Sequence, residues 1–368
     1  MRLLDVQAIE DIAMGAAVMG TGGGGDPYVG KLMAIQALEE FGPITLLDAE
    51  EVPDNALIVP SAMMGAPTVL VEKLPSGEEV IGAFETLKNY LGQEVYATIP
   101  IEAGGLNSMI PLALAARLRI PVVDTDGMGR AFPELQMVTF HLQGVKATPM
   151  VICDEKGNSL LLRTVDNGFT ERLARNATVV MGGSVMLAIY PMKGSQLKAS
   201  GIHGIMSLTE KIGRAIREAK ANRVDPIKTV LEIVGGYELF KGKVTDISRR
   251  TVGGFARGES TLEGLDEYKG QTLNLNFQNE HLIARTETAV LATVPDLIAV
   301  LDRETARPVT TEGLRYGARV IVIGIPCTPK WRTPEGLAMV GPRYFGYDLD
   351  YIPVEERVRD GNRGGAKV

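Results

Sequence analysis

Val95-Tyr96-Ala97-Thr98-Ile99-Pro100-Ile101-Glu102-Ala103-Gly104-Gly105-Leu106-Asn107-Ser108 runs into an apolar stretch ending at Leu118, and Pro121-Val122-Val123-Asp124 follows. Val95–Ile99 and Pro121–Asp124 read as short buried strands. Between them Ser108 is placed to cap a helix to Leu118, with Pro111 in the first turn, where a missing N–H costs little. Upstream, apolar residues at Ile9, Ile12, Ala13, Ala16 and Ala17 have helical spacing behind an Asp5 cap. Asp26 and Pro27 launch a second helix to about Glu40. Strands are expected at Ile44–Leu47 and Ala56–Val59, and a helix near Glu78–Leu91. This alternation predicts a layered α/β domain with a mostly parallel sheet.

Past Thr148 the pattern changes. Met150–Cys153 and Leu160–Leu162 flank a turn around Gly157, Asn167–Val180 reads as a helix, and a longer helix is expected from Ile205 to Ala221. Beyond Asp225-Pro226 strand signals dominate: Val244–Val252, Gln271–Phe277, His281–Thr286, Leu297–Leu301 and Arg319–Ile325. The expected division is therefore an α/β domain over 1–224, a smaller β-rich domain over 225–354, and a loose charged tail over 355–368.

Composition narrows the function. The chain has 368 residues, 45% of them hydrophobic, which excludes disorder throughout. A net charge of −7 and no long basic run argue against gripping nucleic acid. No apolar run approaches the roughly 18 residues of a membrane span, and the start turns polar too soon for a signal peptide. Cys153 and Cys327 make no framework, so a soluble cytoplasmic protein is expected. Its 42 glycines include the run Thr21-Gly22-Gly23-Gly24-Gly25-Asp26.

That run imitates two nucleotide motifs. Gly20-x-Gly22-x-x-Gly25, with Asp48 at a later strand end, approaches the dinucleotide fingerprint, but a helix precedes it where a strand is required. Gly25-x-x-x-x-Gly30-Lys31 begins a P-loop, but Leu32 stands where a hydroxyl should hold magnesium. What survives is a set of backbone N–H groups at a helix N-terminus that favours an anion or a carbonyl oxygen, with a tight helix–helix turn as the plainer explanation.

Two further loops carry acids at strand ends, where ligands gather in open α/β sheets. Glu102 is a candidate general base or metal ligand, Gly104 and Gly105 admit close approach, and Asn107 can donate to a carbonyl. Asp124-Thr125-Asp126-Gly127-Met128-Gly129-Arg130-Ala131-Phe132-Pro133-Glu134 brings two carboxylates whose repulsion a divalent metal, a substrate with donors, or Arg130 itself would relieve. His141 and Cys153 read as structural, Cys327 lacks an identifiable base, and Ser200 or His203 is placed to reach a ligand.

Gly20–Pro27, Glu102–Ser108 and Asp124–Gln136, with Pro295–Ile298, Gly317–Val320 and Gly341–Tyr347, together resemble a family once described only as a domain of unknown function. It is also called the S-methyl thiohydantoin desulfurase family. The resemblance implies a hydantoin- or thiohydantoin-like cyclic amide as substrate and a hydantoinase/oxoprolinase-type protein as partner. It carries no catalytic assignment. The expected enzyme is a hydrolase or desulfurase in which Glu102, Asp124 and Asp126 activate water, directly or through a divalent metal on Asp124 and Asp126. Arg130 or the N–H groups of Gly22, Gly23, Gly24 and Gly25, beside Asp26, would hold negative charge. A homo-oligomer is expected. A non-catalytic subunit of a hydantoinase-like enzyme and a nucleotide-dependent enzyme are the alternatives. The leading reading requires the loops at 20–25, 104–105 and 127–129 to meet in space.

Overall fold

The computed structural model describes residues 1–65, 69, 73 and 75–364. In chain order the N-terminal part comprises β1 (Arg2–Leu4), α1 (Val6–Met19), α2 (Pro27–Phe41), β2 (Ile44–Leu47), β3 (Leu57–Gly65), α3 (Glu78–Leu91), β4 (Ala97–Pro100), α4 (Ile110–Leu118), β5 (Val122–Val123) and β6 (Thr125–Asp126). Then come α5 (Thr139–Leu142), β7 (Met150–Cys153), β8 (Ser159–Leu162), α6 (Asn167–Val180), β9 (Ser184–Ala188), β10 (Met192–Lys193), α7 (Gly194–Ser200), β11 (Ile202–His203), α8 (Ile205–Asn222) and α9 (Pro226–Val234). The C-terminal part is β12 (Tyr237–Val252), β13 (Phe255–Gly264), β14 (Thr272–Gln278), β15 (Glu280–Arg285), β16 (Val290–Thr293), β17 (Leu297–Asp302), β18 (Arg319–Ile325), α10 (Pro334–Val340) and α11 (Val354–Gly364).

Capping chemistry sets several boundaries. The Asp5 carboxylate accepts from the Ala8 N–H and starts α1, and Asp26 accepts from the Tyr28 N–H ahead of Pro27 in α2. Ser108 is not the cap of α4: that helix starts after Met109, and the Ser108 hydroxyl turns back to the Glu102 carbonyl at 3.5 Å. Helix α9 and strand β13 lie where no element was expected, and Val354–Gly364 is helical rather than loose; residues 365–368 of the expected tail lie outside the described residues. Val354 is fully buried beneath the second sheet, which is why the tail folds back.

The first sheet runs β1-β2-β5-β4-β3-β9-β7-β8, with β10 beside β3. Its heart, β2-β5-β4-β3, is parallel, and antiparallel strands extend it on both sides. The result is the expected α/β architecture with a mixed sheet, packed against helices such as α3 and α4. The second sheet is antiparallel throughout, in the order β16-β15-β14-β13-β12-β18-β17, and curls into a half-barrel that brings β15 and β16 close to β17. One continuous apolar core joins the two domains: Ile9 and Ile101 belong to the same cluster as Leu282, Leu297 and Ile323.

Because the parallel strands point one way, the segments leaving β3, β4 and β5 emerge at one sheet edge. The turn between β14 and β15 closes over that edge from the second domain, and its Asn279 takes a left-handed φ of 61°.

Candidate active site

A cavity of about 50 Å³ lies at this edge. Its polar wall is formed by Glu102 and Asn107 from the segment after β4, Glu134, Arg175 from α6, and Asn279 and Glu280 from the second domain. Met63, Met64, Met128 and Phe132 supply much of the apolar wall, and Gly24 and Gly25 border it with backbone.

Glu102 is 4% exposed and held at both oxygens. Asn107 Nδ2 donates to Oε1 at 2.7 Å and the Phe132 N–H donates to Oε2 at 3.2 Å. Asn107 is itself fixed, because its Oδ1 accepts from the Met63 N–H at 2.8 Å. Burial pushes the Glu102 carboxyl up to about 7, against the pull of those two donors and of Arg130. Glu280 is 2% exposed, and its Oε2 has no hydrogen-bond partner. Burial, with the negative charge of Glu102, holds Glu280 well above the ordinary carboxylate range. Two acids that repel each other in one buried cavity favour one ionised and one protonated member.

The glycine run packs beside this pair. A Cβ on Gly23 would overlap the Glu280 carboxyl, and one on Gly22 would meet the His281 ring. Gly24 lies against Gly104, so closely that a Cβ on either would enter the other's backbone. The Gly24 carbonyl accepts from the Leu106 N–H at 2.9 Å, and the Gly22 carbonyl from the Thr311 N–H at 2.8 Å. Gly105 packs on Gly25 and Pro27. The run connects two helices, so neither nucleotide motif has its required frame; Lys31 sits within α2, 3.5 Å from Glu10.

The loops at 20–25 and 104–105 therefore touch directly. The segment at 127–130 joins them one layer back: the Gly127 N–H donates to the Ile101 carbonyl and the Ala103 N–H to the Arg130 carbonyl. Eight residues expected in the site do not line the cavity: Gly22, Gly23, Gly104 and Gly105, which pack around it, and Asp26, Asp124, Asp126 and Arg130, which are engaged elsewhere. Asp26 caps α2. Asp124 caps α8, its Oδ1 accepting from the N–H groups of Met206 at 2.7 Å and Ser207 at 3.2 Å while the Ser207 hydroxyl donates to Oδ2. Both oxygens of Asp126 accept from the Gly129 N–H, at 3.0 and 2.9 Å, and burial raises this acid well above its ordinary range. Arg130 lies behind Phe132, its guanidinium 4.5 Å from the ring centre.

These placements bear on the expected metal. The oxygens of Asp124 and Asp126 are turned to N–H donors of different segments, so the pair presents no common open face. Among the described residues no group of three or more His, Cys, Asp or Glu side chains is close enough to hold an ion. The donor set does not fit a metal on Asp124 and Asp126.

Glu280, Asn279 and Arg175 were not foreseen. A signal for Glu280 does exist in the sequence: it is an acid at the head of the apolar strand His281-Leu282-Ile283-Ala284. His203 is exposed and bonds Thr125 Oγ1 at 2.8 Å, while His141 bonds Asn167 at 2.8 Å; neither borders the cavity. A larger groove of about 710 Å³ between α1, α8 and the turn after β17 contains opposed charges instead, with its buried Asp11 satisfied by Arg217 at 2.8 and 2.9 Å. The smaller cavity is the chemical candidate because its two buried glutamates have no such cationic partner among the described ion pairs.

Fold and cavity together define a two-domain protein in which an antiparallel half-barrel completes an acidic cavity at the edge of an α/β sheet. The chain belongs to the S-Me-THD-like family: residues 7–164 match its N-terminal domain and residues 165–354 its C-terminal domain. It is similar to the crystal structure of a protein from Chromobacterium violaceum, at 24% identity and a TM-score of 0.79, covering 96% of this chain and 100% of that one. That likeness speaks for the fold. No curated protein matches the chain. Among the described residues no helix is long and apolar enough to cross a membrane.

Proposed function

We propose that the chain is a hydrolase of thiohydantoin-like rings in which Glu102 and Glu280 divide the acid and base roles. One observation carries this: two buried glutamates, one from each domain, face the same cavity, and an oxygen of Glu280 is unpartnered. The family description supports the substrate class.

In the proposed reaction the Glu102 carboxylate takes a proton from water, whose oxygen bonds to the ring carbon bearing the methylthio group. Glu280, protonated by burial, gives its proton to the departing sulfur as the C–S bond breaks. Methanethiol leaves with the pair again holding one proton, and the hydroxyl proton passes to the ring nitrogen, so that a ring carbonyl and an N–H remain. The Gly24–Gly25 backbone would oppose charge developing on the ring. No step passes through Asp124, Asp126 or a metal. At about 50 Å³ the cavity is smaller than the roughly 150 Å³ that accepts benzene, so the ring enters by displacing wall side chains, for which Met63, Met64 and Met128 are suited.

Release of methanethiol from an S-methyl thiohydantoin, followed with a thiol reagent, tests this reading. Glu102→Gln and Glu280→Gln should each cut kcat by at least about 100-fold while the fold is retained. Wild-type turnover in both folded variants would refute the assignment. Ring binding without turnover by the native protein would instead make it a binding subunit.

A further inference from the structure

Arg130 stands out because it is wholly buried yet borders no part of the cavity. Its guanidinium has five N–H donors, and five acceptors surround them. Nε donates to the Ala131 carbonyl at 2.9 Å. Nη1 donates to the carbonyls of Pro295 at 2.7 Å and Asp296 at 2.8 Å. Nη2 donates to Thr21 Oγ1 at 3.0 Å and, at 3.5 Å, to the carbonyl of His281. These acceptors come from the segment after β6, the glycine run and two places in the second domain. His281 is the chain neighbour of Glu280, and Phe132, beneath the guanidinium, donates its N–H to Glu102. One side chain thus touches the supports of both glutamates.

The charge balance points the same way. Every acceptor of Arg130 is neutral, and no described ion pair includes it. The carboxylate of nearby Asp296 is engaged elsewhere, by the N–H groups of Cys327 and Val354, the Tyr351 hydroxyl and Arg332. Arg332 is also paired with Glu355, so the charge of Arg130 is balanced jointly by Asp296 and the two glutamates of the cavity, Glu280 foremost. A buried cation beside two buried acids favours ionisation of one of them.

We propose that Arg130 is a positioning residue that clamps Glu280 of the second domain into place opposite Glu102 and favours an ionised member in that pair. The proposal rests on the acid–base reading of that pair, and its two halves separate by substitution. Arg130→Lys keeps the charge but loses the five-donor fork. Arg130→Met keeps much of the apolar stem and loses the charge.

The experiment is a carboxyl-detected NMR titration of the full chain labelled at glutamate, with the two resonances assigned from Glu102→Gln and Glu280→Gln, alongside kcat against pH. Arg130→Met should move the midpoint of the more acidic carboxyl upward by one pH unit or more. Arg130→Lys should leave that midpoint within half a unit and lower kcat at least tenfold with little change in KM. Unchanged midpoints in folded Arg130→Met, or a wild-type kcat in Arg130→Lys, would overturn the proposal. Should Arg130→Met fail to fold, Arg130→Lys decides alone. The titration needs no substrate: if the Gln variants retain turnover but the midpoint moves as stated, the catalytic reading has failed and the clamp has not.

Discussion

Glu102 and His281 are buried groups displaced from their ordinary titration in opposite directions. Glu102 rises from 4.5 to about 7, chiefly through burial, while burial lowers His281 from 6.5 to about 4 with its Nδ1 on the Thr21 carbonyl at 3.0 Å. Between pH 4.5 and 7 the unfolded chain has lost the Glu102 proton that the folded chain keeps, so this group's contribution to stability falls as pH rises. Between pH 4 and 6.5 the unfolded chain binds a proton at His281 that the folded chain refuses, so that contribution rises with pH. Each effect is on the order of 3 kcal/mol across its window. Over the shared range they oppose one another, and the native protein conceals both. Removing one should expose the other. Relative to the native protein, Glu102→Gln should gain stability as pH rises from 4.5 to 7, and His281→Asn should lose it. Urea midpoints at half-unit pH steps check this; parallel curves for all three proteins would contradict it.

At the scale of elements, the contact between the glycine run and the segment after β4 brings Gly24 and Glu102 to one cavity. Gly24 has φ 71°, and a Cβ there would enter the backbone of Gly104. Gly157 has φ 83° but open space around it. Both pay the left-handed backbone cost on substitution, and Gly24 adds a steric one. Gly24→Ala should lose about 2–4 kcal/mol and much of the activity, while Gly157→Ala should lose about 1 kcal/mol with activity intact. Equal losses in thermal unfolding would show that the contact is looser than its geometry. The same elements show what was legible. The starts of α1 and α2 were readable because their caps, Asp5 and Asp26, are local signals, and α3 and α6 fell where helices were expected. So were Glu102, Asn107 and the glycines of the wall. Long-range pairing hid the rest. Asp124 looked catalytic because its true partners, the N–H groups of Met206 and Ser207, are distant in sequence. Glu280 reaches the site only through the fold of the half-barrel, which no local spacing announces.

The whole molecule is held at the same boundary that forms the cavity. Trp331, the only tryptophan, is fully buried there, its Nε1 donating to the Met128 carbonyl at 2.8 Å and its ring edge-on to Phe132 at 5.2 Å. Around it one apolar cluster extends from the first sheet into the half-barrel. Interdomain surfaces that permit independent motion are usually smaller and more polar than this. Separating the domains would also strand Arg130, three of whose five acceptors lie in the second domain, and Glu280, which Arg130 faces from the first. Partial unfolding is then penalised twice, by exposed apolar surface and by unpaired buried charge. The two domains should accordingly unfold as one cooperative unit. Trp331 emission, which reports the boundary, and far-ultraviolet circular dichroism, which reports both sheets and helices, should give the same urea midpoint and slope. An emission change that precedes the loss of secondary structure would mean that the boundary opens first. In that case the glutamate pair would be assembled on ligand binding rather than held ready by the fold.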